Sequence, residues 1–206
     1  APLMAALKAR RNPILFAGIG GPRMEALGFE SHYPMEKLSV RGYAEVVRHY
    51  REIMTMRSRL TKALLAERPD VYIGVDASEF NLAVERRLKD AGIPAIHYVS
   101  PQIWAWRGWR IRKIARSVTH ILVMFPFEAP LYEKAGVPVT YVGHPLADLI
   151  PLEPNKLEAR AELRLPTNKL IVALLPGSRR SELQYMASSF VLAAHRFRQE
   201  VHDVHF

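Results

Sequence analysis

Two turns that follow short apolar runs carry the residues best suited to chemistry. In Val71-Tyr-Ile-Gly-Val-Asp76-Ala-Ser-Glu-Phe-Asn81 an apolar run ends on a carboxylate and a helical pattern begins. Asp76 there can take a proton from an attacking hydroxyl held within hydrogen-bond reach, the role of a general base. A second use competes: Asp76 or Ser78 can cap the helix, whose first amides lack intrahelical acceptors.

The segment Leu170-Ile-Val-Ala-Leu-Leu-Pro-Gly177-Ser178-Arg179-Arg180-Ser181-Glu182 repeats that order with a glycine at the turn. Gly177 lets the backbone approach an anion, the helix start offers N–H groups, and Arg179 can grip phosphate oxygens with two donors. The second glycine and the Lys-Ser/Thr pair of a Walker A loop are absent. The competing reading is a helix capped by Ser178 with solvated arginines, which as adjacent cations oppose the helix dipole. A third turn, Gly18-Ile-Gly20-Gly21-Pro22-Arg23, places Pro22 at a first helical position but Arg23 where a dinucleotide fingerprint needs glycine. A tight structural turn is expected there.

Aromatic and basic residues concentrate between Ile103 and Lys113, with Trp104, Trp106 and Trp109 interleaved with Arg107, Arg110 and Arg112. Such a stretch suits stacking of sugars or nucleic-acid bases, or a partly buried aromatic cluster beside a solvated basic helix face. Upstream, Tyr43, Val46, Val47, Tyr50, Ile53 and Met54 recur at helical spacing among Arg41, Arg48, Arg51, Arg57 and Arg59. That helix can face a core or lie against an anionic membrane surface. His97 and His144 each end an apolar run and read as hydrogen-bonded core groups; no spacing of histidine and carboxylate suggests a metal.

The elements that must position these residues follow from periodicity. Apolar, β-branched runs recur at Ile14 to Ala17, Val71 to Val75, Ala95 to Val99, His120 to Phe125, Val139 to Val142 and Leu170 to Leu175, with helical patterns between most of them. This alternation predicts an α/β class with a mainly parallel sheet, whose ligands bind beyond the carboxyl ends of the strands. Pro2 to Arg11 reads as a helix without a preceding strand, and Val201 to Phe206, after the helix Glu182 to Arg198, as the approach to another strand. Pro145 to Pro166, with four prolines and a short charged helix at Lys156 to Leu163, is the linker candidate.

Totals bound the function. A chain of 206 residues, 49% hydrophobic and 24% charged, folds as one domain or one domain and part of another. A net charge of +9 favours anionic partners without choosing among them. The lack of cysteine removes disulfides, thiolate metal sites and cysteine nucleophiles. The longest apolar run, Ile121 to Phe127, is far short of the ~20 residues a membrane span needs, so membrane contact is expected to be peripheral.

Taken together, Gly18-Ile-Gly-Gly-Pro-Arg-Met24, Gly74-Val-Asp76 through Phe80-Asn81, His97-Tyr-Val-Ser-Pro-Gln-Ile-Trp-Ala-Trp-Arg107, Phe125-Pro-Phe-Glu128, Val142-Gly-His-Pro145 and Leu174-Leu-Pro-Gly-Ser-Arg179 resemble the successive motifs of the lipid-A-disaccharide synthase family. The resemblance covers nearly the whole chain. It implies a GT-B glycosyltransferase of two Rossmann-like domains: an acceptor-binding domain over 1–146 lacking its first strand, a linker over 147–168, and the beginning of a UDP-sugar-binding domain over 169–206. It also implies inverting transfer of 2,3-diacylglucosamine from UDP-2,3-diacylglucosamine to 2,3-diacylglucosamine 1-phosphate, giving a β-1,6 disaccharide and UDP in lipid A biosynthesis, without metal or cofactor.

The family's essential aspartate and arginine match Asp76 and Arg179. In this scheme Asp76 takes the acceptor's proton while Arg179 and the helix start after Gly177 offset charge on the departing diphosphate. Gly177, Ser178, Asn81, Trp104, Trp106 and Arg107 are then expected at the substrates, and the Tyr43 to Met54 face at the bilayer. The resemblance further implies peripheral association with the inner face of the inner membrane, a homodimer as the assembly to test, no nucleic-acid partner, and no activity from this stretch alone. Competing readings are another GT-B enzyme, such as a UDP-sugar epimerase or a peptidoglycan-precursor transferase, and a basic nucleic-acid-binding domain built on Trp104 and Trp106.

Overall fold

Strands and helices alternate along most of the chain. The computed structural model describes residues 1–11, 13–35, 43–106, 108–178 and 180–206, and the chain divides into two units, Ala1–His144 and Pro145–Phe206. In the first, helix α1 (Pro2–Arg10) leads to strand β1 (Phe16–Gly20), the short helix α2 (Pro22–Glu25) and strand β2 (Phe29–Pro34). Then come α3 (Tyr43–Glu67), β3 (Tyr72–Val75), α4 (Ser78–Asp90), β4 (Ala95–Tyr98), α5 (Ile103–Trp106), α6 (Ile111–Ser117), β5 (His120–Val123), α7 (Ala129–Lys134) and β6 (Val139–Tyr141). Strands β3, β4, β5 and β6 form a four-stranded sheet in that order, each pair parallel. Parallel neighbours need crossover connections, and the helices between these strands supply them. The expected α/β class with parallel strands is what the chain adopts.

Two apolar clusters hold this unit. Leu82, Ile103, Ile114, Val118, Ile121, Val123, Tyr132 and Val137 form one, and Met56, Leu60, Leu64, Phe80, Val84, Leu88 and Ile93 the other. Helix α4 feeds both, since Leu82 points into the first and Phe80, Val84 and Leu88 into the second. Each fully buried aliphatic side chain contributes about 1.5–3 kcal/mol, so α4 is fixed firmly against β3 and β4.

The glycine segment near the start differs from the expected tight turn. Leu15 is almost fully exposed, the strand begins at Phe16, and it runs through the glycines to Gly20 with a register shift between Gly18 and Ile19. Gly18 has φ +137, and a Cβ on Gly20 would stand 2.6 Å from Cε1 of Phe29. The glycines thus admit a bulge and the Phe29 ring rather than a turn. Their partner β2 has no counterpart among the expected runs, because its burial alternates and only one residue in two faces inward. Pro22 opens α2 as expected.

In the second unit, α8 (Lys156–Glu162) precedes β7 (Leu170–Ile171), α9 (Arg180–Glu200) and β8 (Val204–His205), and β7 pairs with β8 in parallel. Asn155 caps α8, its side chain accepting from the amides of Leu157 and Glu158. The run expected to extend to Leu175 is a strand only over its first two residues, although the Val172 amide still donates to the His205 carbonyl at 2.9 Å.

Candidate active site at the carboxyl end of the four-stranded sheet

Strand β3 ends in a strained turn. Asp76 and Ala77 have φ of 51 and 39, and Val99, next after β4, has φ of 77. The left-handed region costs an L-residue roughly 1–2 kcal/mol, and a β-branched residue tolerates it least. Arg68 and Arg164 share this region, but each follows a helix end, where the amides of Arg68 and Arg164 bond back to Leu64 and Ala161. Among the described residues, left-handed strain that no helix end explains therefore sits at the carboxyl ends of β3 and β4. Strain is retained where surrounding structure overdetermines it, commonly at sites that bind or react.

The surroundings here do overdetermine it. The Asp76 amide donates to the Tyr98 carbonyl at 2.9 Å, tying the turn to β4. Asn81 Nδ2 donates to the Asp76 carbonyl at 2.9 Å and to the Val75 carbonyl at 3.3 Å, while Asn81 Oδ1 accepts from the Tyr72 hydroxyl at 2.9 Å. Asn81, expected at the substrate, is buried, and its amide instead grips the backbone that carries Asp76. The residue at the helix N-cap is Ala77, which has no side-chain acceptor.

Beneath this turn lies a sealed pair. Glu85 and His97 are both 0% exposed, and Glu85 Oε1 stands 2.7 Å from His97 Nδ1. Among the described residues, Glu85 Oε2 and His97 Nε2 have no hydrogen-bond partner. Burial pushes the Glu85 carboxyl upward, and the hydrogen bond and charge of His97 pull it part of the way back. Burial, followed by the neighbouring Glu85 charge, also pushes the Tyr72 phenol well above its usual range, so it remains a hydrogen-bond donor to Asn81. Gly74 is required by this packing, since a Cβ there would lie 2.1 Å from Glu85 Oε1 and 2.9 Å from the Asn81 Cβ.

Past β4, the Ser100 hydroxyl and the buried Tyr132 hydroxyl are 2.7 Å apart, with burial pushing the Tyr132 phenol up to about 12. Trp104 is half exposed and meets Phe127 edge-on at 5.2 Å, and Phe127 stacks on Phe125 at 5.5 Å. Trp104 therefore belongs to an accessible aromatic shelf that Phe125 and Phe127, following β5, complete. Arg107 lies outside the described residues, as does the side chain of Trp106.

In the second unit, Gly177 has φ +123, and a Cβ there would meet the Glu182 Cβ at 2.5 Å. The Ser178 amide donates to Glu182 Oε2 at 3.1 Å, so this exposed loop already presents an N–H to a carboxylate. Arg179 lies outside the described residues.

The family model described as lipid-A-disaccharide synthetase matches residues 1–206. The chain belongs to the lipid-A-disaccharide synthetase family. Among similar proteins, the lipid-A-disaccharide synthase of Chromobacterium violaceum is 55% identical over 206 residues, which is 100% of this chain and 53% of that protein. Those of Azoarcus sp. and Dechloromonas aromatica are 53% and 56% identical, covering 99% and 96% of this chain and 52% of each relative. The chain spans about half the length of these relatives.

Within this lipid-A-disaccharide synthetase fold, α3 runs on to Glu67, and its face Met56, Leu60 and Leu64 is core. Ile53 packs against the same cluster and Met54 is half-buried, whereas Tyr50 is exposed. Of the helix residues expected at a membrane, Ile53 is thus turned to the protein interior; the side chains of Tyr43, Val46 and Val47 lie outside the described residues. Among the described residues no helix is long and apolar enough to cross a membrane. Glu85, Tyr72, Ser100 and Tyr132 escape the sequence reading. The one available signal was an acidic residue at position 85, in register with the apolar face of α4.

Proposed function

We propose that this chain supplies the acceptor-binding domain and the first diphosphate-binding loop of a lipid-A-disaccharide synthase. The enzyme transfers 2,3-diacylglucosamine from its UDP form to the 6-hydroxyl of 2,3-diacylglucosamine 1-phosphate with inversion, and neither a metal nor another cofactor takes part. The strained, doubly anchored turn at Asp76 carries this reading, because it presents a carboxylate at the edge where a parallel sheet binds ligands. Asp76 removes the proton as the acceptor oxygen attacks the donor's anomeric carbon; the bond to the diphosphate breaks, and UDP leaves with its charge offset by Arg179 and the Gly177–Ser178 loop. Trp104, with Trp106 and Arg107, provides the sugar-stacking side of the acceptor site.

Residues 1–146 are assigned to acceptor binding, 147–168 to the linker and 169–206 to the start of the UDP-sugar domain. Because both substrates are acylated, the enzyme works on the inner face of the inner membrane, held peripherally by Tyr50 and Met54 with Tyr43, Val46 and Val47, and a homodimer is its proposed assembly. Serine at Val46, Val47 and Tyr50 should then reduce flotation with anionic vesicles while leaving folding intact; undiminished flotation removes this contact. The test of the reaction is UDP release by the full-length enzyme given both acylated sugars. Arg179→Ala should lower kcat by about 10²–10³-fold. Turnover near that of the unsubstituted enzyme refutes the role of Arg179, and UDP release that needs no acceptor favours an epimerase or hydrolase.

A further inference from the structure

Three cations gather around one residue, Glu79, three positions beyond Asp76: two face its carboxylate and one its backbone carbonyl. Arg57 on α3 donates through Nη1 to the Glu79 carbonyl at 3.2 Å, Arg110 just ahead of α6 donates through Nη2 to Glu79 Oε1, and the Lys113 ammonium on α6 stands 3.8 Å from Glu79 Oε2. Glu79 lies in the first turn of α4, whose N-terminus adds about half a positive charge. A single carboxylate cannot neutralise this group.

The pairing is also uneven. The Arg110 side chain is 10% exposed, whereas that of Glu79 is 69% exposed. A cation withdrawn from water against a solvated carboxylate recovers little of its desolvation cost, since attraction to an exposed partner is weakened by solvent. Lys113, half exposed and beyond hydrogen-bond distance, keeps its three donors, and each guanidinium offers five. A second anion with several oxygens could engage donors that Glu79 leaves unused.

We infer that Arg57, Arg110 and Lys113 form the subsite for the phosphate monoester of the acceptor sugar. This inference rests on the reaction proposed above. A phosphate monoester carries close to two negative charges and three acceptor oxygens, matching the cationic excess. In an acceptor phosphorylated at C1, the phosphate hangs from C1 and the attacking 6-hydroxyl from C6, the exocyclic carbon on C5, and C1 and C5 flank the ring oxygen. Base and phosphate site must therefore be separated by about the width of one sugar. Asp76, two residues ahead of α4, and Glu79, in its first turn, are three residues apart, which limits their separation along the backbone to about 10 Å, a span of that order. The subsite sets the acceptor's register, placing its 6-hydroxyl at Asp76 and rejecting a sugar without the phosphate.

The test uses the full-length enzyme with the phosphorylated acceptor and an otherwise identical sugar bearing a neutral 1-O-methyl group. Unsubstituted enzyme should favour the phosphate by kcat/KM, and Lys113→Ala and Arg57→Ala should each reduce that preference about 10-fold, while Lys113→Arg restores most of it. Arg59→Ala, an exposed cation of the same helix outside the cluster, should leave the preference unchanged. Equal losses for both acceptors, or none, overturn the subsite. If Lys113→Ala weakens binding to phosphatidylglycerol vesicles and spares the preference, the cluster serves membrane headgroups instead. Should the unsubstituted enzyme transfer to neither acceptor, the proposed reaction fails on its own. Calorimetric binding of glucosamine 1-phosphate then still decides the subsite: affinity that survives Lys113→Ala and Arg57→Ala together overturns it, and affinity lost in both upholds it.

Discussion

Glu85 Oε1 lies 2.7 Å from His97 Nδ1, joining α4 to β4 through a contact closed to solvent on both sides. Because burial raises the folded carboxyl above its ordinary 4.5, the native state keeps that proton over a range in which the unfolded chain has lost it. The stabilisation is complete below the unfolded value and diminishes as pH rises toward the folded one. Glu85→Gln has no such proton to lose. Its stability relative to the unsubstituted protein should improve with rising pH, by at most about 1.4 kcal/mol per pH unit. Urea unfolding of both proteins across the acidic to neutral range measures this, and a constant difference excludes the linkage.

Gly74 has room for hydrogen only, with the Glu85 carboxylate and Asn81 in the space of a Cβ. Gly74→Ala should destabilise by about 1–3 kcal/mol through overpacking, and should lower transfer activity because Asn81 is displaced together with the turn it holds. Denaturation midpoints and steady-state kinetics on the same preparation read both effects; unchanged values in both would show that the pocket relaxes without cost.

Asn81→Ala removes the donor shared by the Val75 and Asp76 carbonyls. Loss of these buried bonds should cost about 1–3 kcal/mol, and kcat should fall because the left-handed turn loses its anchor. Tyr72→Phe, which removes only the bond to Asn81 Oδ1, should produce a smaller change of the same kind. If Tyr72→Phe costs more activity than Asn81→Ala, the anchoring order is different.

The parts of this site that were legible in the sequence are local. A run ending on Asp76, followed by a helical pattern, marks strand, turn and helix from adjacent residues. Gly177 has φ +123, a conformation that favours glycine, and its position after an apolar run is equally local. Contacts between distant segments left weaker traces. Glu85 and His97 belong to different elements, so their pairing follows from the packing of α4 on β3 and β4 rather than from spacing. The cations around Glu79 come from α3, the turn before α6 and α6 itself, and their convergence appears only once these elements pack. Gly20 read as a turn because the Phe29 ring that explains it lies on another strand. Ile53 fits a membrane-facing stripe and a core-facing one equally by period, and packing decided for the core.

The role of Asp76 is tested most directly by Asp76→Asn in the full-length enzyme, which keeps the shape of the side chain and removes its basicity. Single-turnover transfer from saturating UDP-2,3-diacylglucosamine to 2,3-diacylglucosamine 1-phosphate should slow by about 10²–10⁴-fold with acceptor affinity largely kept. A single-turnover rate within a few-fold of the unsubstituted enzyme would contradict a general base at this position.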